Sequence, residues 1–210
     1  MPSLRIPLFP LNLVLLPGNK LPLHIFEPRY KKMIRDSMDH RTPFGIVLAK
    51  ETGIARVGCT AEVIHLLKTY DDGRMDIETV GLFPFRIDDV HQENPLLEAT
   101  VESLEDDLED DPYGAAELLE LFTRCYTLVR GERPAPLNSV AGVSLVYQVA
   151  GRLPIHHDVL QELLEIRAET ARRARLTQFL RDFIPQVSNM RYRQSKAGTN
   201  GAGSNGHSRP

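Results

Sequence analysis

The hydrophobic period of this chain changes once, and the change falls at an acidic run. Between residues 57 and 103 apolar side chains recur at every second position, the spacing of half-buried strands. Val57, Cys59, Ala61 and Val63 oppose Thr60 and Glu62, and Met75, Ile77 and Thr79 oppose Arg74, Asp76 and Glu78. Phe83, Phe85 and Ile87, then Leu97, Ala99, Val101 and Ser103, continue the series. Tyr70-Asp71-Asp72-Gly73 is a hairpin turn, because glycine accepts the positive φ such turns need. Pro84 marks an edge or a bulge. After residue 112 the period becomes about 3.6, the helical value. Leu118, Leu119, Phe122, Cys125, Tyr126 and Val129 form one stripe, opened by Asp111-Pro112 and stopped at Gly131. A second helix capped by Asn138 carries Val140, Val143, Val146, Tyr147 and Val149. A third carries Leu160, Leu163, Leu164 and Ile166, and a fourth carries Leu176, Phe179, Leu180 and Ile184 before Pro185. One helix also interrupts the strand region early, with Pro28 at its first position and Tyr30, Met33, Ile34 and Met38 on its apolar face.

The chain is therefore α+β: a mostly antiparallel sheet region (1–104), an acidic linker (105–111), a helical subdomain (112–190) and a tail (191–210). The tail is Gly/Ser/Asn-rich from Ser195 and is expected to be disordered. Six carboxylates sit within 105–111, interrupted only by Leu108, and a solvated, mutually repelling segment is expected there.

A chain of 210 residues is long enough for one ordinary core without staples. With 25 Lys+Arg against 28 Asp+Glu the formal charge is −3, which does not favour nucleic acid. Seven arginines lie between Arg167 and Arg193 against only Glu169 and Asp182. That stretch reads as a solvated helix face or as a surface for phosphate or an acidic partner, with Arg172, Arg173 and Arg175 at its centre. No apolar run approaches the ~20 residues of a membrane span, and no leader pattern opens the chain, since Pro7 and Pro10 interrupt it. The cytoplasm is expected.

Catalytic patterns fail one by one. Pro17-Gly18-Asn19-Lys20-Leu21 puts leucine where a phosphate loop needs a hydroxyl. Gly142-Val143-Ser144-Leu145-Val146 lacks the last glycine of a nucleophile elbow, so Ser144 reads as a packing residue. After Lys68 the sole lysine is Lys196, which argues against a Ser–Lys dyad. His156-His157-Asp158 reads as a helix start rather than a ligand set, because adjacent helical residues project about 100° apart. Cys59 and Cys125 each fall on an apolar face and read as core. No catalytic residue, cofactor or metal is expected.

The N-terminal segments carry a resemblance. Pro7-Leu8-Phe9-Pro10-Leu11, Leu15-Leu16-Pro17-Gly18 and Leu21-Pro22-Leu23-His24-Ile25-Phe26-Glu27-Pro28-Arg29-Tyr30 resemble the opening of the Lon protease N-terminal domain. The similarity continues through Phe44-Gly45-Ile46-Val47-Leu48, Val57-Gly58-Cys59-Thr60-Ala61-Glu62-Val63, Asp72-Gly73-Arg74-Met75-Asp76-Ile77 and Gly81-Leu82-Phe83-Pro84-Phe85-Arg86-Ile87. Val149-Ala150-Gly151-Arg152-Leu153-Pro154-Ile155 resembles the start of that family's helical part. The resemblance implies a PUA-like antiparallel β pseudo-barrel followed by a C-terminal helical bundle. It also implies recognition of substrate proteins, while ATP hydrolysis and peptide cleavage belong to other domains, for which 210 residues leave no room. A stand-alone, non-catalytic member is expected.

On the matching segments the candidate binding residues are Phe9, Leu16, Leu21, Phe26, Glu27, Arg29, Tyr30, Glu62 and Arg86, all of which also have ordinary structural roles. The expected partners are unfolded or exposed polypeptide segments, in a substrate-recognition or adaptor role beside a protease or chaperone, with weak self-association admitted. The alternatives are a small-molecule sensor or enzyme with a site between the subdomains, and an RNA-binding PUA-like protein.

Overall fold

One strand closes the sheet on itself. In the computed structural model, which describes residues 4–92, 95–107, 112–137 and 143–200, β1 (Leu4–Leu11) is bonded on both sides. Its first half runs antiparallel to β7 (Glu98–Ser103), from Leu4↔Val101 to Pro7↔Glu98. Its second half runs parallel to β3 (Phe44–Lys50), from Leu8↔Gly45 to Leu11↔Leu48. The circuit continues antiparallel from β3 to β5 (Val57–Thr69), to β6 (Met75–His91) and to β7. The expectation of an antiparallel sheet holds for every pairing except β1–β3, which is parallel. The long β6 also carries β2 (Lys20–Ile25) along its first six residues, and a short β4 (Gly53–Ile54) folds back on β3. The β5–β6 hairpin turns at Gly73, whose φ is 76° and whose N–H bonds Tyr70 O at 2.8 Å. Between Cys59 and Ala61 the β5–β6 register shifts around Pro84, as the proline suggested.

Both faces of this closed sheet are packed. Leu8, Val47, Phe85, Ile87, Ala99 and Val101 form one buried cluster. Phe9, Ile25, Phe44, Ile46 and Ile77 form another, against Tyr30, Met33 and Ile34 of α1 (Pro28–His40). Helix α1 starts at Pro28 and ends where Arg41 takes φ 52°.

The helical part is α2 (Pro112–Arg130), α3 (Leu145–Ala150), α4 (His157–Glu165) and α5 (Glu169–Asn200). Helix α2 stops before Gly131, at φ 82°, as its pattern implied. The second helix of this half is shorter than expected. Ser144, read from sequence as a packing residue, is its cap and accepts the Tyr147 N–H at 3.3 Å; the expected cap Asn138 lies outside the described residues. The fourth helix does not stop at Pro185 but passes through it. Proline removes one N–H and crowds the preceding turn, yet Pro185 and Arg181 lie on the exposed side of the helix, while Leu176, Leu180 and Ile184 hold the opposite face in the core. Residues 191–200, expected to be disordered, continue α5; residues 201–210 lie outside the described residues. Among the described residues no helix is long and apolar enough to cross a membrane.

Beside the hydrogen bond from Gln161 Nε2 to Val57 O (3.0 Å), two loop segments among the described residues join sheet and helices. The segment between β1 and β2 inserts Leu16 into the helical core beside Leu118, Phe122, Tyr147 and Leu163. Asn19 Nδ2 then donates to Tyr147 O at 3.1 Å. Gly81 makes this possible, since a Cβ there would lie 2.5 Å from Leu16 O. The second connection is the acidic segment. Asp107 N donates to Arg167 O (3.0 Å) and Glu169 N to Asp107 O (2.9 Å). Asp106, expected to be solvated, instead pairs with Arg172 at 2.6 Å and Arg167 at 3.0 Å. Residues 108–111 of the run lie outside the described residues.

Candidate functional site

The end of β2 and the first turn of α1 meet the end of β1 around an open cavity of about 300 Å³. Phe9 forms its floor: it is buried and stacks on Tyr30 with ring centroids 4.0 Å apart. Leu23 lines one wall. Phe26 stands at the rim, 59% exposed, because Ile25 on the same strand end takes the inward position and the chain must then turn into Pro28. Phe26 is one of several exposed large apolar side chains among the described residues, and it stands over an apolar floor.

The polar rim is internally paired. Arg29 Nη2 lies 2.8 Å from Glu27 Oε2, and its guanidinium sits 4.6 Å from the Tyr30 ring centroid. Arg29 also donates to Pro95 O (3.3 Å) and lines a second cavity of about 400 Å³, whose walls include Met33 and Leu96. On the other side His24 Nδ1 lies 2.5 Å from Asp76 Oδ1, and Tyr70 donates to Asp76 Oδ2 at 2.7 Å. Hydrogen bonds from His24 and then Tyr70 hold the Asp76 carboxyl below its ordinary value. Burial pushes the Tyr30 phenol up, so it stays neutral. The groove thus offers apolar and aromatic contact with self-neutralised charge at its edge. Neither cysteine lines it, and burial pushes the Cys59 thiol far up, away from the reactive thiolate.

Of the nine candidate residues, Phe9, Phe26, Glu27, Arg29 and Tyr30 come together here. Leu21 lies further along β2, half-buried against the same cluster. Three others are elsewhere. Leu16 is a plug in the helical core. Glu62 is exposed on β5 beside the C-terminal end of α1. Arg86 pairs with Glu102 on the outer face of β6 at 2.5 Å. Sequence reasoning did not select Leu23 and His24 as site residues, although both stand inside the matching segment and His24 shares the alternation of Phe26.

The arginine-rich stretch is not a basic surface. Arg172 is fully buried and Arg173 is 6% exposed. Arg172 bonds Glu169 at 2.8 Å and Asp106 at 2.6 Å, and lies 4.1 Å from the Tyr147 ring centroid. Arg175 pairs with Glu162 at 2.5 Å, and Arg181 pairs with Glu117.

A sheet closed through one parallel pairing, a helical half plugged by Leu16, and an open apolar groove define an α+β module that presents a surface groove. The chain belongs to the ATP-dependent protease La (LON) substrate-binding domain family, whose model matches residues 5–182. Its fold is similar to that of a Lon N-terminal domain protein from Xanthomonas campestris, with a TM-score of 0.65, 25% identity, and coverage of 84% of this chain and 97% of that one. It is also similar to the N-terminal domain of Mycobacterium avium complex Lon protease (TM-score 0.64, 17% identity, 85% and 98% covered), a likeness of fold. Among curated proteins, 110 residues are 32% identical to a Lon protease of Anaeromyxobacter dehalogenans and 28% identical to one of Parabacteroides distasonis. Each match takes in 48% of this chain and spans 13% of the relative's length.

Proposed function

We propose that this protein recognises exposed apolar segments of other polypeptides at the groove between β1, β2 and α1, by binding and without hydrolysis. Membership of a substrate-binding domain family supports a substrate-binding role. The observation that carries the finer reading is Phe26, an aromatic 59% exposed above a cavity floored by Phe9 and Tyr30. Its rim charges already satisfy one another, so recognition rests on apolar contact. A bound segment would be handed to a protease or chaperone, the adaptor role proposed for the intact chain. The RNA-binding alternative loses its main support, since the central arginines of the basic stretch are buried or paired.

Titrating a fluorescent unfolded polypeptide and a single-stranded RNA, each at low and moderate salt, tests the proposal. Polypeptide binding is expected to tolerate salt, because apolar burial is not screened, and RNA binding to be negligible. Fully burying a phenylalanine side chain stabilises by roughly 1.5–3 kcal/mol. Covering the exposed 59% of Phe26 is then worth about 1–2 kcal/mol, so Phe26→Ala should weaken binding roughly 5- to 20-fold. Tight RNA binding that collapses with salt, or polypeptide binding indifferent to Phe26, would reject this site.

A further inference from the structure

A cluster of ligand-type side chains lies at the start of α4, where the sequence pattern argued against a site. His156 and His157 are adjacent, and on a continuous helix their rings would diverge. His156, however, is not helical: it is the cap of α4, with φ −62° and ψ 145°. That extended residue swings its imidazole beside the next one, and the two ring centroids lie 4.0 Å apart, tilted by 35°. The Asp158 carboxylate reaches both rings, with Oδ2 3.1 Å from His156 Nδ1 and Oδ1 3.6 Å from His157 Nε2. One ligand atom from each residue falls within 4.8 Å of the others.

We propose that His156, His157 and Asp158 form a binding site for a borderline divalent ion of the first transition series, Zn²⁺ in the first instance. Zinc takes nitrogen and oxygen ligands at about 2.0–2.2 Å, so neighbouring ligand atoms in a tetrahedral site are about 3.3 Å apart. The two nitrogen–oxygen separations, one to each carboxylate oxygen, bracket that edge, and the three ligand atoms lie within 4.8 Å of one another, so closing on one ion requires side-chain rotation but no backbone movement over long distances. Two imidazoles and a carboxylate select zinc, nickel or copper over magnesium and calcium, which prefer all-oxygen shells. His156 and Asp158 are largely exposed and His157 is half-buried, so an ion can enter from solvent and a fourth position stays open. Competing interactions are weak: the Asp158 N–H reaches His156 Nδ1 only at 3.5 Å. The positive end of α4 opposes a cation, which lowers the affinity below that of the same ligands placed away from a helix N-terminus.

Isothermal titration of the full chain with Zn²⁺, and in parallel with Mg²⁺, tests the site. One Zn²⁺ per chain and no saturable Mg²⁺ binding are expected. Co²⁺ in place of Zn²⁺ should give the intense visible absorption of a four-coordinate ion. His157→Gln and Asp158→Asn, both of which leave the His156 cap in place, should each lower the Zn²⁺ affinity at least tenfold while the metal-free thermal melt stays unchanged. Zinc binding that persists in these variants, or no saturable binding up to millimolar Zn²⁺, overturns the proposal. Loss of binding only together with a lowered metal-free melt would assign these residues to folding and overturn it as well.

Discussion

Replacing Arg172 by methionine should be among the most damaging single changes available to this protein. The side chain is fully buried and makes two ion pairs, to Glu169 and Asp106, and donates Nε to the carbonyls of Leu163 (3.0 Å) and Ile166 (3.1 Å). Methionine fills much of the volume but satisfies none of these groups. Asp106 keeps Arg167 at 3.0 Å, whereas Glu169, 5% exposed, is left, among the described residues, with the neutral Ser144 hydroxyl and Val146 N–H. Stranding a buried charge in this way costs about 3–5 kcal/mol, a large part of the roughly 5–15 kcal/mol that holds a domain folded. At roughly 2–4 °C per kcal/mol for a chain of this size, the melting temperature should fall by about 6–20 °C. Urea unfolding followed by circular dichroism measures the loss. Adding Glu169→Gln to the variant should restore part of it, because the orphaned charge is then gone. A loss below about 1 kcal/mol, or no recovery in the double variant, would mean that the cluster is not the clamp its geometry describes.

Gly81→Ala should destabilise by about 1–3 kcal/mol through overpacking, since the new Cβ would meet Leu16 O at 2.5 Å and the Cys59 Sγ at 3.1 Å; an unchanged urea midpoint would show that the Leu16 segment moves aside freely. Acid should loosen the exposed face of the sheet where β2 pairs with β6. Asp76, held low by His24 and Tyr70, and Glu78, held low by Lys20 and His65, titrate below their ordinary values of 3.8 and 4.5. Their contribution is therefore complete above those unfolded-state values and is lost as pH falls through the lower folded ones. Carboxyl NMR titration should place Asp76 below 3.8 and return it towards that value in His24→Ala; an Asp76 titration that His24→Ala leaves unmoved would contradict the assignment.

The strands from 57 to 103 were legible because their large apolar side chains recur at every second position, even where, as at Gly58–Ala61, both faces are buried. The parallel pairing of β1 with β3 was not: Pro7 and Pro10 break the alternation of β1, and parallel partners leave no turn between them to read. The burial of Arg172 did have a visible trace. It stands four and eight residues before Leu176 and Leu180, on the same helical stripe, but an arginine is by default assigned to solvent. Phe26 presents the opposite case, since an apolar residue in an apolar run is assigned to the core, and only the turn into α1 shows that it points out. The convergence of His156 and His157 depends on one residue's backbone leaving the helix, which residue spacing cannot express.

Leu16 gives this architecture an order of events. It is synthesised well before the pocket that receives it, which is completed by Leu163, Leu176 and Ile184, made roughly 160 residues later. At about 5–20 residues per second that is a wait of roughly ten to thirty seconds, during which β1 also lacks its β7 partner. The growing chain must therefore carry an unplugged apolar loop throughout that interval, and an unclosed sheet for the first part of it.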